Sequence, residues 1–407
     1  MNFYSLITSV FLVSFGLGYI KFFGVGYIAH HLYTPQDKSW ILLLVQSLLT
    51  LGPTLIYFLA GPISSAFPKR KIMFLGAGLT AVVLYFGHLT SFVGTIWVYV
   101  FLTGTLCGFY NSSKMSAIPL QAVDLEKSTT AVNGLMTIIF TVAMLMGVPL
   151  GTWLYENHPL AGLYIIVGIF SLGAFSALKC SYPQEELMPL SQAFQDLIRN
   201  TTDLLKVFWP LLLSGPLLWG VAAAVSLSIT AFAEARFLGS ATLCSLMSLW
   251  AAVGIIAGNV LSAVPALQKN RFRVSFGGSV VLLLLIYFYP TIVLAMEPGT
   301  VVDDNFKIYC VAASLFVLIG LIFGVTTNLV DSAYLEAVAL AKLEGHGAAL
   351  QSGLVSLFSF VVSGGVGYLT FKQLMSPIDQ FTMLAVLSAM ASVPIFLYSR
   401  RQNALHH

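Results

Sequence analysis

The chain has 407 residues, of which 58% are apolar and only 9% charged, with a formal net charge of +3. So small an excess gives no reason to expect a nucleic-acid partner, because the basic residues are accounted for by where they fall along the chain. Four isolated cysteines, Cys107, Cys180, Cys244 and Cys310, form no CxxC pair, which argues against a disulfide framework or a zinc site, and no cofactor or metal is expected.

Uncharged apolar runs long enough to cross a ~30 Å hydrocarbon core as helices recur from end to end. They predict an all-α polytopic membrane protein with about twelve spans, near 4–32, 39–66, 72–91, 94–118, 128–155, 160–179, 207–233, 240–265, 273–295, 307–340, 346–370 and 378–399. The first run has no basic segment before it and outlasts the ~7–15 residues of a signal core, so it is expected to be retained. Alternate loops hold most of the basic residues, among them Lys69, Arg70, Lys71, Lys127, Lys206, Arg271, Arg273 and Lys342. By the positive-inside rule this bias puts both termini in the cytoplasm.

The longest polar interruption, 181–206, carries Pro183, Glu185, Glu186 and Pro189, then an amphipathic pattern of Phe194, Leu197, Ile198, Leu204 and Leu205. It predicts a cytoplasmic linker with a surface helix between two six-helix bundles, 1–180 and 207–407. Laying span four on span ten brings Gly108 onto Gly324, Asn111 near Thr327 and Asn328, and Lys114 onto Asp331, a weak internal repeat.

Charges inside an apolar run cost about 3 kcal/mol at a helix centre, so each needs a partner or a watery cavity. Lys21 in span one, Lys114 in span four, and Asp331 and Glu336 in span ten are the candidates. Lys114 and Glu336 also lie near enough to helix ends to snorkel. Polar strips surround them: Tyr110, Asn111, Ser112, Ser113 and Ser116 on span four, and Thr326, Thr327, Asn328 and Ser332 on span ten. No Gly-x-Ser-x-Gly or His-Glu-x-x-His motif is present, and His30 and His31 with Asp37 fall in a loop, so no enzyme is expected.

Two six-span halves joined by a long linker resemble the major facilitator superfamily, in which the halves rock about a central site. The stretch Gly61-Pro62-Ile63-Ser64-Ser65-Ala66-Phe67-Pro68-Lys69-Arg70-Lys71 resembles its loop signature, with Ser65 where an Asp usually stands. The resemblance implies a cavity lined by spans one, four, seven and ten, and a gating role for Gly61, Lys69 and Arg70. Gly147-Val148-Pro149-Leu150-Gly151 loosely resembles the helix-bending signature of proton antiporters, which implies that Gly147, Pro149 and Gly151 permit bending rather than touch substrate.

Within that superfamily, Gly108-Phe109-Tyr110-Asn111-Ser112-Ser113-Lys114 and Ala131-Val132-Asn133-Gly134-Leu135-Met136 are similar to elements of the bacterial lysophospholipid transporter family, as are Phe15-Gly16 and Leu217-Leu218-Trp219-Gly220. The chain departs from it at Leu17-Gly18, Thr137 and Ser226, where that family carries Asp-Asn, Glu and Arg. The resemblance implies movement of lysophospholipid, chiefly lysophosphatidylethanolamine, from the outer to the inner leaflet of the bacterial inner membrane. A phospholipid acyltransferase would then reacylate it, and the transporter would work as a monomer in the bilayer. Lys114 with Lys21 would meet the phosphate, Asp331 the ammonium, and Tyr110, Asn111, Asn133 and Asn328 would shape the site. Span two and span eleven, rich in small residues, would part to admit the tail. The alternative is a proton-coupled exporter of a drug- or siderophore-like amphipath, which needs a carboxylate that changes protonation within the membrane.

Overall fold

The computed structural model describes the chain except for residues 1, 33–37, 89–93, 127–128, 183–186, 238–246, 263, 296–301, 341–343 and 406–407. The side chains of several further residues inside helices, Lys21, Asn133 and Glu336 among them, also lie outside the described residues, so these three expectations stand untouched by it.

Among the described residues every regular element is a helix. The first six are α1 (Asn2–Leu32), α2 (Lys38–Ala66), α3 (Lys69–His88), α4 (Gly94–Asp124), α5 (Thr129–Asn157) and α6 (Pro159–Leu178). The rest are α7 (Leu190–Phe237), α8 (Met247–Ser262), the five-residue α9 (Pro265–Lys269), α10 (Arg271–Ala295), α11 (Val302–Leu340), α12 (Glu344–Phe371) and α13 (Pro377–Leu405). Leaving out α9, twelve helices correspond to the twelve expected spans. The end of the bundle where α2 finishes and α12 begins is called here the terminal end.

Among the described residues nine of these helices carry an apolar stretch long enough to cross a membrane, and α2 makes a tenth when its arms Leu43–Ile56 and Leu59–Ala66 are taken together. In α4 the run of Asn111, Ser112, Ser113 and Lys114 dilutes the apolar character, as a helix facing an internal cavity allows. The described apolar part of α8, Leu249–Ser262, is short.

Glycine sets how closely the helices approach. Lipid offers little hydrophobic drive for helix association, so contact depends on small residues that let backbones touch. Gly18 packs on the Met144 carbonyl, and Gly147 and Gly151 pack on the α1 backbone at Phe15 and Tyr19, joining α1 to α5. Gly104 and Gly108 of α4 lie against Leu49 and Pro53 of α2, while Gly320 and Gly324 of α11 lie against Ala251 and Ile255 of α8. Gly220 of α7 meets the backbone of Phe358 in α12.

These seams repeat. The pairs α1–α5, α2–α4, α3–α6 and α3–α4 have counterparts in α7–α12, α8–α11, α10–α13 and α10–α11. The repeat seen between span four and span ten is therefore a repeat of packing. In the register set by its glycines, Lys114 corresponds to Val330, one residue short of Asp331.

The helix foreseen in the linker is present, but it does not end before the seventh span. It is the first part of α7, a single helix of 48 residues containing Pro210 and Pro216, whose apolar stretch begins only at Phe208. Just before it, the Met188 N–H donates to the Ser65 carbonyl at 3.3 Å, tying the linker to the end of α2. The residue standing in place of the signature Asp thus makes its tie through the backbone. Lys69 is buried, and Arg70 and Lys71 are exposed.

Across the two sets of six, α2 packs on α12 and α7, and α5 on α8. Away from the terminal end the α2–α12 seam is shut. Ser47 Oγ donates to the Phe360 carbonyl at 3.4 Å, a Cβ on Gly367 would stand 3.0 Å from Leu43 Cβ, and the Trp40 and Phe371 rings are 4.8 Å apart. The opening expected between span two and span eleven is absent along this stretch, because small residues on both helices bring the backbones together.

Candidate functional site

Toward the terminal end, α2 and α12 line a chamber of about 300 Å³ together with α4, α5, α7 and α11. Its wall on α4 includes Gly108, Asn111, Met115 and Ile118, spaced three or four apart along one face. Lys114 flanks that face, 8% exposed, with its Nζ 4.9 Å from the centre of the Phe140 ring. A cation over an aromatic face is attracted weakly and keeps its hydrogen-bond donors unused. The Ser112 hydroxyl is buried without a hydrogen-bond partner among the described residues, and Thr137 of α5 lines the same chamber.

Asp331 faces this group from the other set of six helices. Its Oδ1 accepts from Gln351 Nε2 of α12 at 2.6 Å, and its Oδ2 accepts from Trp219 Nε1 of α7 at 3.3 Å. The Trp219 ring stands edge-on to Phe323 with centroids 5.0 Å apart. Gly215 leaves room for the carboxylate, since a Cβ there would lie 2.7 Å from Oδ1. Among the described residues neither Lys114 nor Asp331 makes an ion pair, although both line one chamber. The site therefore presents a lysine from α4 and an aspartate from α11 to one chamber, each held by neutral groups.

A second chamber of about 240 Å³ adjoins the first, sharing Phe140, Trp219 and Val355 with it. Its walls are mostly apolar, from Met144, Leu218, Val221, Ile255, Phe316 and Phe323. The arrangement suits a molecule with a dipolar head and an apolar body.

The structure brings Lys114, Asn111 and Asp331 together as lining residues. Tyr110 and Asn328 are placed elsewhere. Tyr110 is fully buried with its hydroxyl 2.9 Å from Ser9 Oγ, which itself donates to the Gly173 carbonyl, so it ties α4 to α1 and α6. Asn328 donates to Ser262 Oγ of α8 at 2.6 Å. Tyr110 stands about 100° around its helix from the lining residue Asn111, and that turn carries it to a neighbouring helix. Gly147 and Gly151 contact α1, and Pro149 lies within the continuous α5. Thr137 lines the first chamber and Ser226 the second, so two of the three places where the resembled family is charged are wall positions here, but neutral, while Gly18 packs on α5.

Gln351 and Trp219 were not foreseen as partners of Asp331. A neutral amide in a Ser- and Gly-rich segment gives no signal without the fold. Trp219 stood in a family-like element, and only packing reveals its N–H.

This is the architecture of a multi-pass helical membrane transporter built around a central cavity. A family model for the Major Facilitator Superfamily matches residues 6–342, and the chain belongs to that superfamily. The uncharacterized MFS-type transporter YkuC of Bacillus subtilis (strain 168) is 25% identical over 143 residues, which cover 34% of this chain and 33% of that protein. The aligned stretch thus spans about a third of that relative's length. Among solved structures, a D-xylose-proton symporter matches with a TM-score of 0.72 at 13% identity over 97% of each chain. The nucleoside transporter NupG, in a mutant form, matches with a TM-score of 0.66 at 13% identity over 97% of this chain and 98% of its own. Those likenesses show the fold. The chain is a transporter of the major facilitator type.

Proposed function

We propose that this transporter moves a single-tailed zwitterionic amphipath, a lysophospholipid such as lysophosphatidylethanolamine, from the outer to the inner leaflet of a bacterial inner membrane by alternating access. The observation that carries the reading is a chamber bearing unpaired Lys114 and Asp331 that adjoins an apolar one. Phosphate takes charge-assisted hydrogen bonds from Lys114, with Asn111 and Ser112 beside it, while Asp331 accepts from the ammonium. The acyl chain lies along the apolar walls. In this reading the termini are cytoplasmic, the terminal end gives access to the chambers, and the shut α2–α12 seam closes the periplasmic side. Transport then requires that seam to part while the terminal end closes. An acyltransferase on the cytoplasmic side consumes the delivered lipid.

One observation favours a second reading, proton-coupled movement of another amphipath: Asp331 is a membrane-embedded carboxylate held only by neutral donors. A single experiment separates the two. Labelled lysophosphatidylethanolamine is presented to spheroplasts lacking their own transporter, with parent or Lys114→Ala chain, with and without a protonophore. Saturable uptake that falls at least ~10-fold in the variant, as loss of a charge-assisted contact predicts, and ignores the protonophore supports lipid flipping. Uptake abolished by the protonophore supports coupling, and absence of uptake by a folded parent overturns the lipid reading.

A further inference from the structure

The apolar chamber contains polar groups that the proposed function does not use. Gln46 of α2 is 7% exposed and lines the chamber, and its side-chain amide has no hydrogen-bond partner among the described residues. Ser359 of α12, 5% exposed, lines the same chamber and also lacks a partner among them. The Thr141 hydroxyl on the facing α5 wall is buried and unpartnered too.

Hydroxyls in such helices usually turn back to their own backbone, as Thr50 does to the Gln46 carbonyl at 3.0 Å and Thr152 to the Val148 carbonyl at 3.0 Å. Ser359 does not. An amide offers two donors and an acceptor, and on an otherwise apolar wall the Gln46 amide and the Ser359 hydroxyl are the groups that a polar atom of a bound molecule would meet.

We infer that the apolar chamber carries a neutral hydrogen-bonding subsite, centred on Gln46 and Ser359, that takes an uncharged oxygen function, a hydroxyl or carbonyl, on the body of the substrate. Gln46 lies two turns along α2 from Pro53 on the wall of the charged chamber, about 10 Å away, and Ser359 lies about 12 Å along α12 from Gln351. The substrate therefore bears its oxygen function about 10 Å from its charged head, midway along its chain. Ser47 and Phe360, the neighbours of these two residues, make the hydrogen bond across the shut seam. Occupancy of the subsite thus bridges the two helices that must part. The position of the head rests on the reading proposed above, while the tail subsite does not.

The test uses purified protein in nanodiscs and two probe pairs. The first is lysophosphatidylethanolamine with and without a hydroxyl midway along its acyl chain. The second is a long-chain alcohol with and without the same mid-chain hydroxyl, and so lacks the headgroup. The parent should bind the hydroxylated member of each pair roughly tenfold more tightly, because a site built to hydrogen-bond rejects a partner that leaves it unpaired. Gln46→Leu, close in size, should abolish the preference while binding the plain members at least as well, and Ser359→Ala should reduce it. Preference among the alcohols with no lipid binding supports the subsite and overturns the lysophospholipid head. Equal binding within both pairs, no binding of either hydroxylated probe, or a preference that survives Gln46→Leu overturns the subsite.

Discussion

Asp331 takes hydrogen bonds from two helices, and their lengths rank their importance. The bond from Gln351 at 2.6 Å is short and charge-assisted, while that from Trp219 at 3.3 Å is long. A hydrogen bond to a charged group contributes about 1.5–3 kcal/mol. Gln351→Leu should therefore raise the apparent KM for substrate uptake about 10-fold or more. Trp219→Phe keeps a ring against Phe323 and should raise it only ~2-fold to ~5-fold, the effect of a weak bond. Initial-rate measurements across substrate concentration check the order. Lys114 and Asp331 could be read from sequence because a charge inside an apolar run is conspicuous. Gln46 and Gln351 could not, since a neutral amide is unremarkable until its surroundings are known. Tyr110 and Asn328 were misplaced because a polar strip was read along the chain, whereas a cavity sees every third or fourth residue of a helix.

Between helices, glycine marks where backbones meet. A side chain at Gly104 would drive into the Leu49 carbonyl, and one at Gly254 into the Val317 carbonyl. Neither backbone can step aside cheaply, and overpacking of this kind costs about 1–3 kcal/mol. Gly104→Val and Gly254→Val should each lower the midpoint of thermal unfolding in detergent. Gly168→Ala should not, because no atom lies within 4 Å of its added Cβ. A drop at Gly168 equal to the others would show that the seams are not what the glycines serve. The abundance of glycine already signalled close packing in the sequence, and the match of Gly108 to Gly324 pointed to a repeat. Which helix each glycine meets was not legible there, because that depends on the rotation of whole helices. For the same reason the contact of Gly147 and Gly151 with α1 was not legible.

For the molecule as a whole, transport by alternating access requires the α2–α12 seam to open and close. Ser47 Cβ lies 3.4 Å from an ideal Cβ on Gly364, close to the spacing a disulfide adopts. In a background lacking the four native cysteines, Ser47→Cys with Gly364→Cys should cross-link under mild oxidation, stop uptake, and recover on reduction. Full transport by the cross-linked protein would mean that this seam does not move. The all-helical, membrane-spanning character followed from hydropathy, since a bilayer admits few alternatives. The continuity of α7 did not, because the polar linker looks like a boundary when only composition is read.

That continuity has a mechanical consequence. A helix of 48 residues is about 72 Å long, more than twice the thickness of a hydrocarbon core, and its segment before Phe208 projects from the apolar stretch as a stiff arm. If the arm stays rigid, a tilt of the seventh span by a few degrees is magnified at Gln192. A spin label there, paired with one at Lys71 beside the Met188–Ser65 tie, would register each stroke of the cycle as a change in distance. The linker then acts as the pointer of a gauge, driven from inside the membrane and read from outside it.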